Sequence, residues 1–159
     1  LSWFRDTGYA QLIEEIDKTE GSKPIAVIFN LGVNDLGNAG NYVSYMTSIA
    51  STLKSKNCKL FYMSVNPINS TMITKAGRGA RTEAQVREFN SKIRSGLSLD
   101  YKYIDMYSVL MKKGYGTNAR YDGVDDGDDG LHYTTKTFKR IYYYCITYLN
   151  TGSINASYY

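Results

Sequence analysis

Residues 121–133 read YDGVDDGDDGLHY and carry five aspartates together with the protein's only histidine, His132. Asp129 stands three positions before that histidine, with Gly130 between them. A tight turn at the glycine folds the carboxylate onto the imidazole Nδ1–H. This holds the tautomer whose Nε2 accepts a proton from a nucleophile, the Asp–His part of a catalytic triad. The competing reading is a surface histidine in an Asp/Gly turn, since both residue types favour turns in any context. A helix is expected to begin at Thr134 or Thr135, which places His132 at the start of a fixed element.

Residues 30–35, NLGVND, form the second segment able to do chemistry. Gly32 allows a sharp turn at a strand end and close approach of a ligand. Asn34 offers a neutral NH2 donor suited to a developing oxyanion. Asp35, ionised, accepts hydrogen bonds and supports the loop. An Asx-type turn explains the same residues without catalysis. Neither GxGxxG nor GxxxxGK[ST] is present, so no phosphate-cradling loop is expected.

The elements that must carry these residues are legible in the periodicity. Leu12, Ile13 and Ile16 predict a helix over residues 9–19. The apolar run 25–32 after Pro24 suits a strand buried on both faces. A helix over 41–56 uses Val43, Met46, Ile49, Ala50 and Leu53, and a strand over 58–66 ends at Pro67. A polar loop with Gly77 and Gly79 then leads to a helix over 82–97, capped by Thr82, with Val86, Phe89, Ile93 and Leu97 as its stripe. Residues 101–106 form a third strand and 107–114 a short helix. The last helix, 134–150, turns Phe138, Ile141, Cys145 and Leu149 inward. This alternation predicts a single α/β domain over residues 1–150 with a parallel sheet, followed by a polar tail at 151–159. Ligands in such folds gather beyond the carboxyl ends of the strands, where NLGVND and the acidic loop both fall.

Composition narrows the function. The 159 residues are 43% hydrophobic and 21% charged, those of an ordinary globular domain. Nineteen Lys and Arg against fifteen Asp and Glu leave a net charge of +4, but the cations are scattered, so a nucleic-acid surface is not indicated. No apolar stretch reaches the ~20 residues of a membrane helix. Cys58 and Cys145 lack CxxC spacing and read as small buried hydrophobes rather than zinc ligands, with a disulfide the lesser alternative. Asp122, Asp125, Asp126 and Asp128 lack the ligand pattern of an EF-hand and read as a solvated loop. The sixteen tyrosines suit wet surfaces and sugar-contacting grooves, Tyr133 beside the histidine included.

Taken together, GVND (Gly32 to Asp35) at the end of a buried strand and DGLH (Asp129 to His132) before the last helix resemble blocks of the SGNH/GDSL hydrolase superfamily. The strings SVNP and EFNSKI resemble its bacterial members of secreted or cell-surface type, which implies that location. The resemblance covers about residues 1–150. It implies a flavodoxin-like three-layer α/β/α sandwich with a parallel sheet, and a serine esterase acting on short, acetyl-type esters, possible on carbohydrate. In that frame His132 is general base and then acid, Asp129 its orienter, and Asn34 an oxyanion donor, with Gly32 and Asp35 supporting the loop. No metal or organic cofactor is called for. The superfamily's Gly-Asp-Ser block is absent from the chain, and Ser2, Ser64 and Ser70 follow no strand-to-helix elbow. The nucleophile and the N-terminal strands are therefore expected upstream of Leu1, with that segment or a second chain covering the strand at 25–31. The alternative is a non-catalytic binding module that has lost its nucleophile.

Overall fold

The computed structural model describes residues 1–19, 21–115 and 129–154. Strands β1 (Ile25–Phe29), β2 (Cys58–Met63) and β3 (Tyr101–Ile104) form one parallel sheet in the order β1-β2-β3. Ile25 pairs with Cys58 and Phe29 with Tyr62, while Leu60 pairs with Tyr101 and Met63 with Ile104. Parallel neighbours require crossovers, and helices supply them. Helix α1 (Tyr9–Lys18) continues from a π-helical turn at Phe4–Gly8, and α2 (Ala39–Ser55) joins β1 to β2. Helices α3 (Ser70–Lys75) and α4 (Glu83–Gly96) join β2 to β3, and α5 (Met106–Lys112) and α6 (Thr135–Thr151) follow.

Successive residues of β2 point to opposite faces of the sheet. Leu60 and Tyr62 pack with Val27, Phe29 and the apolar sides of α1, α2 and α4. Phe61 and Met63 pack with Ile104 and with residues of α5 and α6. Helices thus cover both faces, and the central strand is buried on each side. Cys58 belongs to the first core and Cys145 to the second. The sheet separates them, and both remain free, buried thiols whose pKa values burial raises.

Three expectations change. Residues 70–75, read as part of a polar loop, form α3, because the Asn69 side chain accepts from the Met72 N–H and caps the turn. Phe138, expected inward, is 51% exposed: it lies in the first turn of α6, where it lines a cleft at the strand ends instead of the sheet. The tyrosines, read as suited to wet surfaces and sugar-contacting grooves, supply much of the core among the described residues. Tyr42, Tyr62, Tyr101, Tyr115, Tyr133 and Tyr144 are buried. Their polar tips find partners inside the protein: Tyr62 donates to Leu31 O at 2.8 Å and Tyr101 to Met46 O at 2.7 Å, while Tyr42 donates to the Asp35 carboxylate.

The outer edge of β1 pairs with no strand among the described residues, and on that strand Ala26 is exposed and Ile28 only half-buried. On α6, Tyr142 and Ile146 add a further exposed apolar strip at helical spacing. Among the described residues no helix is long and apolar enough to cross a membrane.

Candidate active site

The floor of the site is the segment that leaves β2, and α4 holds it by two buried polar side chains. Asn90 accepts from the Val65 N–H at 2.8 Å and donates to the Val65 carbonyl at 2.9 Å. Glu83 accepts from the Ile68 N–H at 2.6 Å and from the Tyr107 hydroxyl. From the other side, the Asn30 amide donates to Ser64 O at 2.9 Å. The buried Ser64 hydroxyl accepts from the Tyr107 N–H at 2.7 Å. These contacts satisfy backbone groups that a strand leaves unpaired where it ends. They also tie together the strings SVNP and EFNSKI.

Asp129 lies on this floor, 5% exposed. Its Oδ1 accepts from the N–H groups of Leu131 and His132 at 2.9 and 3.0 Å, and its Oδ2 meets His132 Nδ1 at 2.6 Å. Gly130 makes the turn possible, with φ +77°. A Cβ there would stand 2.5 Å from the Asn69 carbonyl oxygen, and the Gly130 carbonyl itself accepts from the Asn69 N–H at 2.9 Å. Burial pushes the Asp129 carboxyl up, but the two N–H donors and the imidazole overcome it and hold the carboxyl at about 2. The carboxylate is therefore ionised at neutral pH and fixes a proton on Nδ1, leaving Nε2 as the acceptor. Thr134 caps α6 one residue beyond Tyr133, as the sequence predicts.

His132 lines a cleft of about 180 Å³ beyond the carboxyl ends of β1 and β2, walled by Leu31, Val65, Pro67, Leu131 and Phe138. Asn30 and Asn66 are its other polar residues, and the Asn66 amide oxygen is buried with no hydrogen-bond partner. No Ser, Thr or Cys lines this cleft among the described residues. Ser64 is buried in its bond to Tyr107, Ser2 is exposed, and Ser70 begins α3.

Asn34 was expected to share the histidine's cavity. It faces an adjoining pocket of about 350 Å³ instead, with Val33 in the wall of both. Arg81 Nη2 donates to Asn34 Oδ1 at 3.1 Å. Guanidinium has no acceptor, so this contact turns the Asn34 oxygen toward Arg81 and leaves its NH2 free as a donor. Gly32, three residues beyond β1, has φ +124°, and a Cβ there would stand 2.3 Å from the Phe89 ring. Asp35, expected to fix the loop by accepting hydrogen bonds from backbone N–H groups, accepts from the Tyr42 hydroxyl at 2.7 Å.

Tyr133, expected to face a sugar, is buried and donates its hydroxyl to the Pro67 carbonyl. It holds the cleft wall, and its lack of exposure removes that argument for a carbohydrate. Asp122, Asp125, Asp126 and Asp128 lie outside the described residues, as do residues 155–159. Among the described residues, no three His, Cys, Asp or Glu side chains group to hold a metal. Asn90 and Glu83 were not anticipated, yet each has a signal: they stand at positions i+4 and i−3 from Val86, on the apolar stripe of α4. A polar residue on such a stripe must be hydrogen-bonded inside the protein. Asn66 and the arginines carry no comparable signal.

No family model, no curated protein and no solved structure matches the chain.

Proposed function

We propose that the chain is the greater part of an SGNH-type serine esterase that cleaves short acyl esters. The observation that supports this best is the Asp129–His132 pair, built by a buried carboxylate at the carboxyl end of a parallel sheet and facing an apolar cleft. In the proposed reaction a serine hydroxyl attacks the ester carbonyl carbon, and its proton passes to His132 Nε2. The oxyanion that forms is proposed to take a hydrogen bond from the Asn34 NH2, reaching it past Val33, the residue common to both pockets. His132 then returns the proton to the departing alcohol, and water, deprotonated by the same nitrogen, frees the acid. The serine is proposed to precede Leu1 in the parent polypeptide. The modest cleft volume favours a short acyl group. By the same resemblance the parent is assigned to the secreted or cell-surface class.

A binding module is the second reading, favoured by the lack of any Ser, Thr or Cys in the cleft lining among the described residues. Hydrolysis of 4-nitrophenyl acetate by the gene-encoded polypeptide separates the two. The esterase reading expects turnover, an adduct with a fluorophosphonate, and a loss of at least about a hundredfold in kcat/KM for His132→Ala. Neither turnover nor adduct formation would leave the binding module.

A further inference from the structure

The pocket beside the histidine cleft holds two guanidinium groups with no strong anionic partner. Arg81 is held in place by neutral acceptors: Nη1 donates to the Arg78 carbonyl at 2.6 Å and Nη2 to Asn34 Oδ1 at 3.1 Å. It makes no ion pair among the described residues. Its charge is thus positioned without being neutralised. Arg78 stands in the same wall, with Nη2 3.7 Å from Asp129 Oδ2, too long for a hydrogen bond, and its side chain is 57% exposed. Gly77 and Gly79, with φ +66° and +79°, shape the loop that carries it.

Surface arginines are ordinarily solvated, and a guanidinium held in place in a pocket is a different case. Ordering a guanidinium costs side-chain entropy, here already lost in the free protein for Arg81. An incoming carboxylate therefore meets a preorganised fork of N–H donors, the geometry for bidentate binding. The pocket shares Val33 with the histidine cleft, and Arg78 and His132 reach the same Asp129 oxygen. A ligand spanning both would place an ester at His132 and an acidic group at the arginines.

We infer that the pocket holding Arg78 and Arg81 binds a carboxylate on the alcohol part of the substrate through these two arginines, so that the preferred esters are those of acidic alcohols. This rests on the esterase reading for the word substrate, but the anion site itself does not. A carboxylate is assigned ahead of a phosphate because Asp35 also lines the pocket, and its charge opposes a dianion more than a monoanion.

The test is a titration of the protein with 4-hydroxybenzoate, followed through the Nε–H resonances of Arg78 and Arg81. Its neutral methyl ester and inorganic phosphate are the controls. Saturable shifts at both arginines with 4-hydroxybenzoate, absent with the methyl ester, are expected. So is at least tenfold weaker binding in Arg81→Gln and in Arg78→Gln, each checked for native circular dichroism. Affinity is also expected to fall as salt is raised. Lack of a saturable shift, equal shifts with the neutral ester, or tighter binding of phosphate each overturns the assignment. Hydrolysis of phenyl acetate, which carries no charge, is measured separately. Its absence counts against the esterase alone, and its presence with no carboxylate binding counts against the anion site alone.

Discussion

His132 is useful only while its Nδ1 proton is pinned, and Asp129 does the pinning from a position where it can hardly be protonated. Two backbone N–H donors and the imidazole keep that carboxyl at about 2, against an ordinary 3.8. A folded-state value depressed in this way contributes stability above the unfolded value that is lost as pH falls through the folded one. Asp129→Asn is therefore expected to flatten acid unfolding between about pH 4 and pH 2, followed by circular dichroism. In the gene-encoded polypeptide the same change is expected to lower esterase kcat/KM by at least about a hundredfold, since an amide cannot hold the needed tautomer. Gly130 is as specific. Its positive φ and the nearby Asn69 carbonyl leave no room for a side chain. Gly130→Ala should cost about 2 kcal/mol or more in urea unfolding. A neutral effect would mean that the turn is not as described.

Helix α4 matters less as a cover for the sheet than as a clamp on the segment beyond β2. Asn90 holds both backbone groups of Val65, and both partners are buried. Asn90→Ala leaves a buried N–H and a buried carbonyl unpaired, so a loss of about 2–4 kcal/mol is expected by denaturant titration. Asn90→Leu should do no better, because added apolar contact restores neither hydrogen bond. The helix also carries its own start: Thr82 accepts from the Gln85 N–H, and Gln85 accepts in return from the Thr82 N–H. Removing the cap with Thr82→Ala is worth about 1 kcal/mol. That is a smaller effect than the clamp, and comparing the two variants separates helix stability from loop anchoring.

Across the molecule, burial is uneven. The central strand is enclosed on both faces, while among the described residues β1 has an open edge and α6 leaves Tyr142 and Ile146 exposed at 61% and 37%. An unpaired strand edge offers a row of N–H and carbonyl groups to any chain that can add a strand. Residues 1–159 expressed alone are therefore expected to self-associate, with a sedimentation coefficient that rises with protein concentration. Tyr142→Lys combined with Ile146→Lys should shift the population toward monomer by breaking the exposed apolar strip of α6. A concentration-independent monomer for the unchanged chain would show that the edge needs no partner, whether an upstream segment or a second copy.

Contacts between near neighbours in the chain could be read before any coordinates existed. Asp129 and His132 are three residues apart with one glycine between them, so a single turn brings them together whatever surrounds it. Thr82 and Gln85 meet for the same reason, and the period of apolar residues placed the three strands and five of the helices. The sixth, α3, was hidden in polar sequence because a side-chain cap, not an apolar stripe, starts it. What the fold alone decided are encounters across long separations. Asn90 meets Val65 from 25 positions away, and Arg81 meets Asn34 from 47. Those meetings depend on how helices settle on the sheet, which periodicity does not specify. The division of the site into an apolar cleft and a cationic pocket follows from them. So does the burial of the tyrosines, because a phenol is stable in either solvent or core, and only a hydrogen-bond partner within reach of its hydroxyl settles which.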